Sequence, residues 1–182
     1  SARSGRFTSS HQNLQQLPRH LKHVFGFKKG EGRVLVYADF ASLEIRTICA
    51  LLGEPKMMDI MNADGDLHTF TATKLFQCLD DDVDDEMRAI GKVFNFMLLY
   101  GGNMMVVQST LLKWTGKLYH LNIIKGWIKQ WKAVFPRIAA WQDTAMKLMR
   151  RGQPINETPL GRKYSAERFT DYLSCLLYTS DA

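Results

Sequence analysis

The stretch 84–102 constrains the fold of this chain most, because it predicts a long helix with two defined ends. Acidic residues crowd the segment from Asp80 to Glu86, and the helix dipole favours carboxylates in a first helical turn. Residues with a helical pattern follow, and the pair Gly101-Gly102 ends or bends the helix. We therefore predict a helix over residues 84–100.

Shorter elements are predicted on both sides of this helix. Val34 to Tyr37 indicate a short buried strand. Residues 154–170 have an extended pattern around the turn Pro159-Leu160-Gly161. Apolar spacing, caps and breakers predict further helices over 42–52, 66–76, 121–133 and 138–151. These elements predict an α+β fold that is mainly α.

Charge and composition point to a polyanionic partner. The 182 residues carry a net charge of +6, yet six of the 18 acidic residues lie between Asp80 and Glu86. The remainder is strongly basic, which suits nucleic acid. An apolar fraction of 46% excludes collagen-like and disordered chains. No apolar run approaches the roughly 18 residues of a membrane helix, so we expect no membrane partner.

The three cysteines, Cys49, Cys78 and Cys175, show neither zinc-site nor disulfide spacing. This usage favours a reducing compartment, and we expect a cytoplasmic protein.

Asp39 directly follows the predicted strand, where a carboxylate can be held at the floor of a cleft. Hard cations such as Mg²⁺ bind one or two such carboxylates together with substrate phosphates. A helix cap or a turn is the alternative role for this residue.

Two cations and two aromatic residues, Arg88, Lys92, Phe96 and Tyr100, recur every four residues. Four residues advance a helix by about 400°, so the side chains form one slowly turning stripe. The stripe matches a nucleoside triphosphate, which has a charged tail and a flat base. The alternative is a solvated basic turn followed by an aromatic core stripe. His68 is likewise either a phosphate donor or a structural residue.

The polar N-terminal segment offers the side-chain donors Arg6, Asn13 and Gln15. Such donors suit phosphates and minor-groove acceptors, although polar terminal tails are common without any function.

Five segments resemble, in order, motifs of the family A DNA polymerases, the group of bacterial DNA polymerase I and many phage replicases. The segments are Ser4 to Pro18, Asp39 to Arg46 (motif A), Asp66 to Thr69, Arg88 to Gly101 (motif B) and Thr158 to Lys163. They span most of the chain, which is identified as a member of this family, with a phage origin expected.

The resemblance implies template-directed transfer of dNMP from a dNTP to a primer 3′-hydroxyl by a two-metal mechanism, in DNA replication or repair. Asp39 would be catalytic and bind both Mg²⁺ ions, with the Phe40 carbonyl as a further ligand. Lys92 would be the candidate general acid for the departing pyrophosphate. The second metal-binding Asp of the family belongs to an H-D-E motif that this sequence lacks.

The resemblance also implies the nucleotide and DNA contacts. The nucleotide-binding residues would be Glu44, His68, Arg88, Lys92, Phe96 and Tyr100. Among them, Glu44 would exclude a ribose 2′-hydroxyl and accept a hydrogen bond from Tyr100. The residues that contact primer–template DNA would be Arg6, Asn13, Gln15, Tyr100, Gly101 and Arg162.

The architecture implied is the fingers subdomain of a right-hand polymerase with an incomplete palm. Residues 1–55 would be the N-terminal part of the palm and 56–151 the fingers. Residues 152–174 would return to the palm, and 175–182 fit nothing in the family and look like a non-native tail. We expect a fragment that is inactive without the remainder of the polymerase chain.

Two other functions remain open from the sequence. A phage-type single-subunit RNA polymerase shares part of the motif B pattern, although Glu44 and Phe96 disfavour it. A non-catalytic nucleic-acid-binding remnant is the other alternative, and the intact Asp39, Arg88 and Lys92 disfavour long decay.

Overall fold

Seven α-helices, a short 3₁₀ turn and one antiparallel pair of strands form the described part of the chain. The computed structural model describes residue 21, residues 32–34 and 42–152, and the backbone of 155–157 and 163–165. The elements are α1 (Leu43–Leu52), α2 (Pro55–Asn62), α3 (Leu67–Phe76), α4 (Asp85–Leu99), α5 (Met104–Thr115), α6 (Leu121–Val134), α7 (Pro136–Arg150), β1 (Ile155–Glu157) and β2 (Lys163–Ser165). Its architecture is mainly helical. None of the described helices has the length and hydrophobicity that crossing a bilayer requires.

The five helices predicted from the sequence are confirmed as α1, α3, α4, α6 and α7, whereas α2 and α5 were not predicted. Pro55 lies just beyond the end of α1 and begins α2, because proline lacks the N–H that a first helical turn leaves unpaired. Asn103 begins α5: its Oδ1 accepts hydrogen bonds from the backbone N–H groups of Met105 and Val106.

The extended region after α7 forms an antiparallel pair in which Asn156 of β1 lies opposite Tyr164 of β2. The predicted turn between the strands lies outside the described residues. Val34, the first residue of the predicted buried strand, is 81% exposed and belongs to no strand. The prediction is therefore wrong at Val34, and the other strand residues lie outside the described part.

The acidic segment before α4 is solvated, as its charge predicts. Asp80–Asp82 form a short exposed 3₁₀ turn, and Asp84 caps α4 by accepting a hydrogen bond from the N–H of Met87 at 2.7 Å. Among the described residues, no group of three His, Cys, Asp or Glu side chains is arranged to hold a metal ion.

Helices α3 and α4 pack with their backbones in close contact at Gly91. A Cβ atom at this position would lie 2.3 Å from the carbonyl oxygen of His68 and 3.1 Å from the backbone nitrogen of Ala72. No real Cβ atom approaches a backbone that closely, so only glycine permits this helix separation. The contact sets how near the α4 side chains lie to the beginning of α3.

A single aromatic core joins α4 to α6 and α7. Phe94, Trp131 and Phe135 are almost fully buried. The rings of Trp131 and Phe135 are 5.2 Å apart at 65°, and those of Phe94 and Trp127 are 5.8 Å apart at 85°. These edge-to-face arrangements are the favoured packing of aromatic rings. The contact of Phe94 with Trp127 holds α6 against α4, and that of Trp131 with Phe135 packs the end of α6 where α7 begins.

Two buried polar side chains fix α7 against distant parts of the chain. Glu54, which is 1% exposed, accepts a hydrogen bond from the N–H of Arg137 at 3.0 Å, in the first turn of α7. This places a carboxylate at the positive end of the helix dipole. At the other contact, the amide of Gln142 donates to the carbonyl of Leu98 near the end of α4.

The Gly91→Ala variant tests the close contact between α3 and α4. We expect the added methyl group to force the helices apart and lower the free energy of unfolding by about 1–3 kcal/mol, the usual cost of overpacking. The matched control is Gly126→Ala in α6, where a Cβ atom meets nothing within 4 Å.

This control should instead stabilise the chain by about 0.5–1 kcal/mol, because alanine favours helix. Urea unfolding of both variants measures the two effects. Equal changes at the two positions would contradict the backbone contact.

Candidate functional site

The candidate site is built on the first turn of α3. Asp66 precedes this helix, and its carboxylate accepts hydrogen bonds from the N–H of His68 at 2.9 Å and the hydroxyl of Thr69 at 2.8 Å. Asp66 is therefore the N-cap residue of α3. The cap fixes the start of the helix and with it the position of His68.

Arg88 of α4 reaches across to the same carboxylate. Its Nε lies 2.5 Å from Oδ2 of Asp66, and both side chains are partly exposed. Partial burial opposes the charge on Asp66, but the hydrogen bonds from Arg88, Thr69 and the His68 N–H outweigh it and lower the pKa of Asp66 to about 2. The sequence did not predict this ion pair, since it joins positions 22 residues apart.

A cavity of about 250 Å³ lies between α1, the beginning of α3 and the beginning of α4. It carries side chains of both charges. Its lining includes Ser42, Arg46, Asp64, Asp66, His68 and Arg88. Of the residues predicted to contact a nucleotide, His68 and Arg88 therefore line one cavity.

His68 is held between the cavity and the protein interior. Its ring centroid lies 5.8 Å from that of Phe96, and its Nδ1 lies 3.1 Å from Nδ2 of Asn95. Burial lowers the pKa of His68, and the charges of Arg88 and Lys92 lower it further, against the opposing effect of Asp66. Burial and the two neighbouring cations thus favour the neutral form of the imidazole.

Lys92, the second cation of the stripe, lies over an aromatic ring of α5. Its Nζ is 5.5 Å from the centre of the Trp114 ring, and Trp114 itself is 58% exposed. An ammonium over the face of an indole is attracted by the ring quadrupole. The sequence did not single out Trp114, because its helix was not predicted.

The aromatic end of the stripe joins α4 to α1. The hydroxyl of Tyr100 donates a hydrogen bond to the carboxylate of Glu44, as the resemblance implies. Helix α4 then ends in a glycine motif. The N–H of Gly101 bonds to the carbonyl of Leu98, and that of Gly102 to the carbonyl of Met97. Gly101 has a φ of 71°, a conformation that favours glycine.

The remaining predicted site residues lie outside the described part of the chain. These are Arg6, Asn13, Gln15, Asp39, Phe40 and Arg162. The structure thus brings together Glu44 with Tyr100, and His68 with Arg88 and Phe96. Asn95 is the residue next to this site that the sequence analysis missed, although an amide within the apolar run of α4 is itself a signal.

Comparison with known proteins identifies the family. The sequence profile of DNA polymerase family A matches residues 1–172. This chain belongs to DNA polymerase family A. The match covers all five segments that carry the resemblance, including those outside the described residues.

Several family A relatives are similar over most of this chain. DNA polymerase I of Aquifex aeolicus (strain VF5) is 28% identical over 92% of this chain and 29% of the relative. The thermostable DNA polymerase I of Thermus aquaticus is 28% identical over 88% of this chain and 19% of its own length. The DNA polymerase of Bacillus phage SP01 is 25% identical over 78% of this chain and 17% of its own length. The chain therefore spans less than a third of each of these curated relatives.

A solved structure has the same fold. The POL domain of Pol1 from M. smegmatis, solved in complex with DNA primer-template and dNTP, superposes with a TM-score of 0.77. The alignment covers 99% of this chain and 34% of that chain, at 21% identity. The described helices therefore follow the arrangement of a segment of a polymerase domain.

The ion pair of Asp66 and Arg88 predicts a pH-dependent contribution to stability. The pKa of Asp66 in the folded chain, about 2, lies below the unfolded value of about 3.9. Its stabilising effect is therefore complete above about pH 4 and is lost as the pH falls towards about 2. Because both side chains are exposed, we expect the Asp66→Asn variant to lose less than about 1 kcal/mol at neutral pH.

Urea unfolding of the wild type and Asp66→Asn across this pH range measures the difference. Asp84→Asn is the matched control, since Asp84 also caps a helix and accepts a backbone N–H. A difference between wild type and Asp66→Asn that stays constant down to about pH 2 would contradict the assignment.

Proposed function

We propose that this chain is part of a DNA-directed DNA polymerase and that α1, α3 and α4 form its dNTP-binding site. The observation that carries the proposal is the placement of His68 and Arg88 on one cavity, at the cationic end of the α4 stripe. The family to which the chain belongs and the substrates bound in the structure of M. smegmatis Pol1 support it.

The triphosphate would meet the basic end of the stripe. Arg88 is partly exposed and paired with a single carboxylate, so phosphate oxygens can compete for its guanidinium donors. His68 adds a neutral donor on the same cavity. Lys92 would leave the Trp114 ring for a phosphate, which attracts an ammonium more strongly than an aromatic face does. It would also protonate the departing pyrophosphate.

The sugar and base would meet the aromatic end of the stripe. Phe96 lies beside the His68 ring and would pack on the deoxyribose. Tyr100 holds the carboxylate of Glu44 by a hydrogen bond, which would position Glu44 to exclude a 2′-hydroxyl. Tyr100 and Gly101 would lie next to the template base.

The reaction would need Mg²⁺. The carboxylate of Asp39 and the carbonyl of Phe40 are the oxygen ligands that this ion prefers, so the donor set fits it. The ions would activate the primer 3′-hydroxyl and stabilise the departing pyrophosphate. A single catalytic carboxylate cannot fix two ions, and the 182-residue sequence contains no H-D-E motif. We therefore expect this chain alone to show no primer extension with Mg²⁺ and all four dNTPs.

The architecture would be that of a right-hand polymerase, with α+β palm segments around helical fingers. Residues 56–151 would form the fingers, since α3 to α7 and all of α2 except Pro55 fall within them. Residues 1–55 and 152–174 would belong to the palm. Arg6, Asn13, Gln15 and Arg162 would contact the primer–template from these palm segments.

A chimera tests the proposed nucleotide site. Residues 1–172 of this chain would replace the matching segment of the Aquifex aeolicus relative, and Arg88→Ala and Lys92→Ala would be introduced separately. Each variant should lower kcat/KM for dNTP by about 10- to 100-fold, the loss of one charged hydrogen bond. Primer–template affinity should stay near that of the unmutated chimera.

Lys125→Ala is the control, because Lys125 is an exposed lysine of α6 that does not line the cavity. Steady-state kinetics and a DNA-binding titration give the two readouts. Normal dNTP kinetics combined with weakened primer–template binding in both variants would make the stripe a DNA-backbone contact and overturn the proposal.

A further inference from the structure

Asn95 is a fully buried amide beside the proposed nucleotide site. It lies on α4 between Phe94 and Phe96 and has no exposed surface. A buried amide is costly unless its donors and acceptor are all paired. The partners of Asn95 therefore determine how it is oriented.

One partner fixes the orientation of the amide. The indole Nε1 of Trp131 lies 2.9 Å from Oδ1 of Asn95, and an indole nitrogen is only a donor. The hydroxyl of Thr71 lies 2.9 Å from the same oxygen. Rotating the amide by half a turn would place its NH₂ group against the indole N–H. Oδ1 must therefore face Trp131.

The opposite end of the amide then faces His68. Nδ2 of Asn95 lies 3.3 Å from the carbonyl oxygen of Leu67 and 3.1 Å from Nδ1 of His68. Its two hydrogens serve these two acceptors. Nδ1 must then carry a lone pair, so the proton of the neutral imidazole lies on Nε2. A proton on Nδ1 would oppose an N–H of Asn95.

We propose that Asn95 is a positioning residue that, oriented by Trp131, fixes His68 as the neutral tautomer with its proton on Nε2. His68 then offers one N–H donor to the ligand of the cavity that it lines. This proposal rests on the proposed function only for the identity of that ligand, a nucleoside triphosphate.

The charged groups around His68 support a neutral imidazole as the working form. Asp66 lies at the beginning of its own helix, and Arg88 and Lys92 face it from α4. The two cations already supply the positive charge for a triphosphate. A neutral His68 adds a directional hydrogen bond to phosphate binding without placing a third positive charge beside Arg88 and Lys92.

Nitrogen-15 NMR of the histidine side chains in the 182-residue chain, without nucleotide, tests the proposal. The resonances of His68 are those that disappear in His68→Gln. In the wild type, long-range proton–nitrogen correlations should show a protonated Nε2 and an unprotonated Nδ1.

Asn95→Asp should change this pattern. The Asp carboxylate has nearly the same shape as the amide but only accepts hydrogen bonds, so Nδ1 should gain a proton and the pKa of His68 should rise by about 1–3. Thr71→Val is the matched control. It removes the hydroxyl beside Oδ1 but leaves Trp131 to orient the amide, and the wild-type tautomer should persist.

A wild-type spectrum with the proton on Nδ1 would overturn the proposal, whether or not Asn95→Asp folds. A folded Asn95→Asp that keeps the wild-type tautomer and pKa of His68 would overturn it as well. Titration of the same wild-type sample with dATP tests the proposed function separately. If His68 has the expected tautomer but dATP leaves all resonances unchanged, only the assignment of the ligand fails.

Discussion

The approach of α3 to α4 at Gly91 is the constraint on which the site depends. Because no side chain separates the two backbones there, groups on both sides of the contact fall within hydrogen-bond distance. Arg88, one turn before Gly91 on α4, then reaches Asp66. Asn95, one turn after Gly91, reaches His68. A wider separation of α3 and α4 would break both contacts. The geometry of the site therefore depends directly on how closely these two helices pack.

Polar contacts buried between distant segments keep this helix pair in register with the remaining helices. Trp131 of α6 bonds to Asn95, Gln142 of α7 bonds to the end of α4, and Glu54 caps the beginning of α7. Apolar packing alone tolerates small sliding of one helix on another, whereas a hydrogen bond defines one position. Polar groups thus specify the arrangement that the aromatic core stabilises.

Sequence patterns predicted five of the seven described helices, because caps, glycines and apolar spacing are local signals. Helices α2 and α5 were not predicted, because a proline such as Pro55 can end one helix as well as begin the next and the cap at Asn103 has no strong local pattern beside it. The stripe from Arg88 to Tyr100 was visible since it repeats along one helix. The roles of Asn95 and Trp114 were not, because their partners lie on other helices and depend on how those helices pack.

In the proposed nucleotide site, the pairing of Arg88 with Asp66 would favour polyvalent anions over monovalent ones. A monovalent anion would only replace the single negative charge of Asp66 beside Arg88, with little net gain in binding free energy. A polyvalent ligand can outcompete the internal carboxylate and still interact with the neighbouring cation, Lys92. The carboxylate of Asp66 would therefore keep dilute chloride or acetate from Arg88, whereas a chain of phosphates would displace it.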